Sequence, residues 1–407
     1  MNTQTLNFSG EFPLVNGIPV YPIYGATGPH GILSAGDVIG PKNLLVSSLS
    51  DGFDLTSLWT EFNSILDHWN EHRTNLASLL RFPVTVPGAA VPQGIQSVQL
   101  EKATEYGVPQ SVGPPLEAVV LGFKLDEYDV RNAYTYRFLR TATVDNVRAV
   151  TNSILAGDDR LVNGLVMNRL FNNKPENTKE GFVARGVWTG DDNQSPPPFL
   201  GVTPPANTNH YLTSGATQID SADVEDLVKK VRSGGMGIPG SGQTLLLLCN
   251  PVESEFVQTW KNGVDSRTGG PKAKFDYVPA VSAPPHYSAD VLVGTATEGD
   301  FNGVEVLGTY GYVKLVETPY VPAGYIAVVA SGGKDSPVNC IGFRQDPDPA
   351  QQGLRLIPGS DSGPYPVVGS YLLRSCGVGC FQRGGAAVMQ ITTNATYASP
   401  PATAFGL

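Results

Sequence analysis

His68, Trp69, Asn70, Glu71 and His72 spell H-x-x-E-H. On a helix, that order puts two histidines one turn apart with a glutamate between them, the arrangement that holds zinc and activates water. Zinc chemistry also needs a third ligand and a cleft, and neither is signalled. Trp69 belongs to an apolar stripe, so the two histidines read as the flanks of an amphipathic helix. Gly235, Gly237 and Gly240 fit G-x-G-x-x-G, a phosphate cradle when it follows a strand and opens a helix. Here the order is reversed, Pro239 removes an N–H, and a helix-to-strand turn accounts for the glycines. Asp361-Ser362-Gly363-Pro364 has the look of a serine-nucleophile loop. None of His30, His68, His72, His210 and His286 comes with a motif that would make it the base. Cys376 and Cys380 could be half a metal site, but Cys249 and Cys340 stand singly. Small apolar cysteines in strands explain all four. Asp158 and Asp159 read as solvated helix positions. No catalytic residue, cofactor site or metal ligand set is predicted.

The elements that would have to position such groups are more informative. Leu55, Leu58, Trp59, Phe62, Ile65, Leu66 and Trp69 recur at spacings of three and four, and Leu76, Leu79 and Leu80 continue that helix face until Pro83 ends it. Residues 95–126 alternate in two runs around Tyr106-Gly107-Val108-Pro109 and Gly113-Pro114-Pro115, which predicts a long β-hairpin with a Gly/Pro-rich tip. Such a hairpin is marginal alone and needs a surface to lie on. Residues 129–171 predict helix, capped at Thr143, with a stripe through Val147, Val150, Ile154, Leu161, Leu165 and Phe171. Residues 172–216 form a long Pro-rich connection, of the kind that is usually functional or partner-bound. Residues 220–345 read as an α/β unit: Asp220 or Ser221 caps a helix, Thr244–Asn250 is a buried strand, and Pro251 sits in a first helical turn. Residues 366–397 read as β, with Met389, Ile391, Thr393, Ala395 and Tyr397 on one face.

Composition narrows the class. The chain has 407 residues, Lys plus Arg 27 and Asp plus Glu 37, hence a net charge of −10. An acidic chain does not wrap a polyanion by counterion release as its main activity. Charged residues are 16% and hydrophobic residues 41%. Charge is low against roughly 25% in ordinary soluble domains, so much surface is either buried or committed to partners. No apolar run approaches the roughly 20 residues that span a bilayer. Met1-Asn2-Thr3-Gln4 has no basic or apolar region of a secretion signal. Four cysteines make no disulfide scaffold, and a reducing, cytoplasmic origin is expected.

Several segments, in this order, resemble the major capsid proteins of tailed bacteriophages, above all those of actinobacterial hosts. Leu100-Glu101-Lys102-Ala103-Thr104-Glu105-Tyr106-Gly107-Val108-Pro109 is similar to that family's extended loop. Leu121-Gly122-Phe123-Lys124 through Phe138-Leu139-Arg140 resembles the passage into its spine helix, and Asp159-Arg160-Leu161-Val162 to Leu170-Phe171-Asn172-Asn173 resembles that helix and its exit. Asn209-His210-Tyr211-Leu212, Asp223 to Leu227, and Tyr320 to Tyr325 resemble parts of the axial domain. Gly377 to Ala387 resembles the closing strand of the peripheral domain.

The resemblance implies an α+β chain with the Hong Kong 97 phage fold. Its parts would be an N-terminal arm and amphipathic helix (1–94), an extended β-hairpin loop (95–128), a peripheral domain with the spine helix and Pro-rich loop (129–219), an axial domain (220–345) and C-terminal strands of the peripheral domain (346–407). It implies self-assembly into pentamers and hexamers of an icosahedral shell around double-stranded DNA, with no membrane, in the host bacterial cytoplasm. A portal protein, a separate scaffolding protein and a possible decoration protein would be partners. Lys102, Glu105, Tyr106, Val108, Lys124, Arg137 and Arg383 are the inter-subunit contact candidates. Some relatives cross-link a loop lysine to a neighbour's asparagine; residues 106–115 hold no lysine, so no cross-link is expected. The alternatives are an encapsulin-type nanocompartment shell, a tail or decoration protein, and a zinc hydrolase using His68, Glu71 and His72.

Overall fold

The computed structural model describes residues 14–15, 18–19, 49–52, 55–72, 76–93, 100–103, 105–108, 111, 117–192, 194, 196–200, 202, 204–205, 207–281, 298–358 and 367–407. Most of the expected N-terminal arm, much of the loop around 94–116, and the Asp361-Ser362-Gly363-Pro364 stretch lie outside these residues. So do His30, His286 and the side chains of Leu55, Leu58, Trp59 and His72. Mixed sheets with a few helices make the chain α+β. It divides into two compact units. The first is Met1–Arg73, Glu127–Asp158 and Ala350–Ser375; the second is Thr74–Asp126, Asp159–Pro349 and Cys376–Leu407.

In the first unit, helix α1 (Leu55–His72) buries Phe62 and Leu66, with Ile65 and Trp69 half-buried, the stripe the spacing predicts. Leu76, Leu79 and Leu80 do not continue it; they fall on a separate, fully buried helix, α2 (Leu76–Leu80), in the second unit. Pro83 does not stop a helix either. It lies in the strand Arg81–Val84, at the edge of its sheet, where a missing N–H breaks no ladder. After the short helix α3 (Tyr136–Leu139) comes α4 (Val144–Phe171), 28 residues long, of which the stretch to Asp158 belongs to this unit and the rest to the second. Val144 N–H donates to the Asp51 carboxylate at 2.8 Å, which satisfies one donor of the first turn. Phe62, Tyr134, Leu139 and Val147 form one cluster, and Leu66, Leu155, Leu354 and Leu372 another. Arg148 grips Glu61 with two bonds of 2.8 Å.

The helix expected over 129–171 begins later than predicted. Asp126–Thr135 is a strand paired with Val367–Cys380. Asn132 and Tyr134 are buried while Arg131 and Ala133 are exposed, the period of two that a strand imposes. Asp158 is not solvated. It is 5% exposed and takes both Arg374 (Nη2 at 2.9 Å, with Nε on the other oxygen) and Trp69 Nε1 at 3.0 Å. A carboxylate at this depth survives because its charge is paired and its oxygens are bonded.

The second unit is built on a seven-stranded sheet. Edge to edge it runs Tyr277–Pro279, Gly308–Tyr310, Val313–Glu317, Thr244–Cys249, Tyr325–Ser331, Ala386–Gln390 and Tyr211–Thr213. Leu245 through Cys249 are all buried, so the central strand reads as a continuous apolar run. Helix α5 (Ser221–Ser233) packs Val224, Leu227 and Val231 into the sheet's core cluster. Asp220 caps it: its carboxylate accepts from the Ala222 and Asp223 N–H groups, and Asp223 accepts from Asp220 N–H. Helix α6 (Pro251–Val257) is capped by Asn250, with Pro251 in its first turn. The β reading of the tail holds to Gln390; residues 391–401 form no strand, because the alternating polar residues there meet no partner strand.

Candidate assembly surfaces

The predicted hairpin is present with its first leg shifted. Gly88–Gln93 pairs with Glu117–Gly122, Gly88 opposite Gly122 and Gln93 opposite Glu117. The turn-side segment is therefore 94–116, and Leu100 lies in it rather than in a strand. Directly after the second leg, Phe123 is 1% exposed and packs edge-on to Phe82, with Phe381 beside both. Lys124 N–H donates to Val378 O at 3.4 Å. Gly377 and Gly379 make this approach possible, since a Cβ on either would run into the backbone of Lys124 or Gly122. The hairpin thus leaves a rigid aromatic floor.

Lys124 belongs to that base. Its Nζ lies 3.0 Å from Asp126 and 3.5 Å from Glu176. Burial works against its charge, but the two carboxylates win and raise its pKa. Lys102, Glu105, Tyr106 and Val108 are all exposed; Tyr106 is 92% and Val108 94% exposed, with Leu100 at 98%. Three large apolar groups this bare on one segment mark a surface that expects cover. Arg137, on α3, is exposed as well.

Arg383 is the exception among the contact candidates. It is 3% exposed. Its Nε donates to Gly186 O at 2.9 Å, Nη2 to Val187 O at 3.1 Å, and Nη1 to Gln194 Oε1 at 2.7 Å, with Asp192 at 2.5 Å. Its guanidinium lies 4.2 Å over the Trp188 ring. The side chain is spent inside its own subunit, on holding down the Pro-rich connection. That connection is itself less structureless than its composition suggests: it carries the strands Glu176–Asn177 and Val183–Ala184, which extend the hairpin's sheet. Its bare apolar tip is Leu200 and Val202, 84% and 68% exposed.

A second surface lies on the seven-stranded unit. Val224 and Val228 of α5, with Phe275, Tyr310 and Tyr312, line an open apolar groove of about 450 Å³. Lys229, Arg232 and Lys274 rim it. Elsewhere on the unit, α6 turns Val252, Glu255 and Phe256 outward. No signal in the sequence announces the groove, because its walls come from three separated segments.

The chemical motifs do not converge. His68 is exposed on α1. The 235–240 glycines join α5 to the Thr244 strand, and Gly237 N–H is taken by Gln243 Oε1 at 3.0 Å. All four cysteines are buried, and burial holds the Cys249 and Cys340 thiols well above their usual range. Among the described residues, no group of three or more His, Cys, Asp or Glu side chains could hold a metal, and no helix is long and apolar enough to cross a membrane.

No protein-family model and no curated protein matches the sequence. Solved structures do match. A chain from Mycobacterium phage Patience is 38% identical, with a TM-score of 0.68, over 89% of this chain and 95% of that one. The capsid of an empty GTA particle is 15% identical, TM-score 0.45, over 79% and 91% of the two chains. The SrpI encapsulin complex of Synechococcus elongatus is 15% identical, TM-score 0.43, over 80% and 90%. Identity at the first level, across nearly the full length of both chains, shows common descent, and the chain belongs to the family of major capsid proteins of tailed bacteriophages, in the branch with actinobacterial hosts.

Proposed function

We propose that this capsid protein assembles as pentamers and hexamers into an icosahedral shell that encloses double-stranded DNA. The observation that carries the reading is the 38% identity over 89% of the chain to the mycobacteriophage protein. In this reading residues 1–94 supply an arm and helix, and 95–128 the extended loop that overlies a neighbour. Helix α4 is the spine of a peripheral domain, residues 220–345 are the axial domain that meets its copies around the five-fold and six-fold positions, and the strands after 346 close the peripheral domain. Bare Leu100, Tyr106 and Val108 support the loop's role, since covering them removes apolar surface from water. Many modest contacts act together, so the shell is far more stable than any one of them.

Lys102, Glu105, Tyr106, Val108 and Arg137 are proposed as contacts. Lys124 acts through the hairpin base, and Arg383 as an internal clamp. The subunit works without catalysis or cofactor. A portal, a separate scaffolding protein and a possible decoration protein complete the particle, which is built in the host cytoplasm. The acidic balance suits a container: it keeps packaged phosphate from adhering, over a Debye length of about 8 Å. Negative-stain electron microscopy of the purified chain, alone and with co-expressed neighbouring gene products, tests this. Closed shells or five- and six-membered rings are the expected result; particles absent under both conditions overturn it.

A further inference from the structure

We propose that copies of this chain dock head to tail through two different patches of the seven-stranded unit, the α5 groove of one subunit receiving the outward ridge of α6 from the next. The inference rests on the assembly reading above and adds to it the residues of one contact.

The groove is apolar at its floor, and its lining carries three cations, Lys229, Arg232 and Lys274, against one carboxylate, Glu225. Two of the rim cations are already engaged: Lys229 with Asp226 at 2.8 Å and Lys274 with Glu225. Arg232 is different. Its guanidinium lies 3.9 Å over the Tyr312 ring, and its buried Nε has no hydrogen-bond partner among the described residues. A buried donor left unpaired is costly, and a stacked guanidinium is pre-organised to take a carboxylate. Tyr312 is 59% exposed. An arginine stacked on a tyrosine beside an apolar floor is the composition of an interface hot spot.

The α6 ridge supplies the complement. Val252 and Phe256, four residues apart, share one helix face, and Glu255 stands beside them. Val252 is 52% and Phe256 37% exposed, while Glu253, Ser254 and Val257 face inward and fix the helix's orientation. Two apolar groups flanking one carboxylate match an apolar floor flanking one unpaired guanidinium.

A subunit does not present these patches at one place. Tyr312 precedes Val313, which pairs with Leu245 at the first end of the central strand; α6 begins beyond Cys249, which pairs with Glu317 at the other end. Four residues of strand separate the two levels, roughly 13 Å. With one groove taking one ridge and the second pair left free for the next copy, the contact is heterologous, and a heterologous contact whose rotation closes generates a ring. The occupant is a second copy because both halves belong to this chain. For a subunit of net charge −10, a local pairing of opposite charge also sets the register in which like-charged copies approach.

Charge reversal tests this on the full chain, by sedimentation velocity and negative-stain microscopy, with thermal denaturation of the dissociated subunit as the folding control. Arg232→Glu and Glu255→Arg should each lower the assembled fraction about tenfold, by setting like charges face to face. The double variant R232E/E255R should recover most of it. Phe256→Ser should lower assembly while leaving the subunit's melting unchanged. Single reversals that assemble as wild type, or a double variant no better than either single, overturn the α5–α6 contact while leaving the assembly reading intact. A wild-type chain that forms no rings or shells, either alone or with co-expressed neighbouring gene products, overturns both.

Discussion

His210 is a buried histidine held neutral. Burial pushes its pKa down to about 4, the bond to the Ala386 carbonyl (2.8 Å from Nδ1) partly opposes this, and Lys230 and Arg383 add repulsion. A base whose folded pKa lies below its unfolded value near 6.5 takes up its proton first in the unfolded chain. Its contribution to stability is therefore complete above about pH 6.5 and is lost as pH falls towards 4, on the order of 3 kcal/mol over the window. Asp223 acts in the opposite sense. Burial first, then the neighbouring carboxylates of Asp220 and Asp226, raise its pKa to about 7, against the bond from Asp220 N–H, so its contribution declines as pH rises towards 7. The two slopes overlap, and the difference between wild type and His210→Gln isolates the histidine. Denaturant unfolding of both at pH 7, 6, 5 and 4 should show the wild type losing its advantage below pH 6.5. Parallel profiles would remove the histidine from the account.

At the scale of elements, Arg383 decides whether the Pro-rich connection stays folded down. Arg383→Met leaves Asp192 with a longer contact to Arg185, 3.4 Å, and strips two carbonyls and the Gln194 amide of their donor. A loss of about 3 kcal/mol is expected from breaking a buried pair on one side, together with new protease cleavage between 186 and 205. An unchanged cleavage pattern would mean that the loop is held by other groups. Nothing about Arg383 in the sequence foretells this role, because its partners lie almost 200 residues away. Elements whose signals are local were legible: the α5 cap at Asp220 or Ser221, the α6 proline, the apolar central strand, and the α1 stripe from Phe62 to Trp69. Those that depend on a distant partner were not. Residues 129–135 lack Gly and Pro and so read as helix, until the Val367–Cys380 strand claims them within Asp126–Thr135. Asp158 reads as solvated until Arg374 is placed beside it. Pro83 reads as a helix stop until it is seen on a sheet edge. The loop's contact residues are proposed through resemblance, and the structure shows them only to be exposed, whereas the α5 groove had no signal at all.

For the whole molecule, the loop should matter to assembly and little to folding. Replacing residues 100–108 with a Gly/Ser linker removes Leu100, Lys102, Glu105, Tyr106 and Val108, which are exposed in the subunit. Circular dichroism and melting of the dissociated subunit should hardly change, while shell yield on size exclusion should fall at least tenfold. A collapse of the melting transition would instead assign the loop to the subunit's own stability. Lys124 is committed at the hairpin base, residues 106–115 hold no lysine, and Lys102, exposed in the 94–116 segment, lies before that tip, so particles boiled in detergent and reductant should run as a single monomer band. A ladder of multiples would show a covalent bond. The first unit carries one more consequence, in time. It is gathered from three stretches far apart in the chain, and its Asp158–Arg374 pair spans 216 residues. At the ribosome's pace of roughly 5–20 residues per second, Arg374 emerges about 10–40 s after Asp158. Throughout that delay Asp158 has Trp69 but not the arginine that balances its charge, and the unit lacks the 350–375 stretch that completes it. A chain that stops before Arg374 is therefore expected to leave this unit open, so completion of synthesis and completion of the unit coincide.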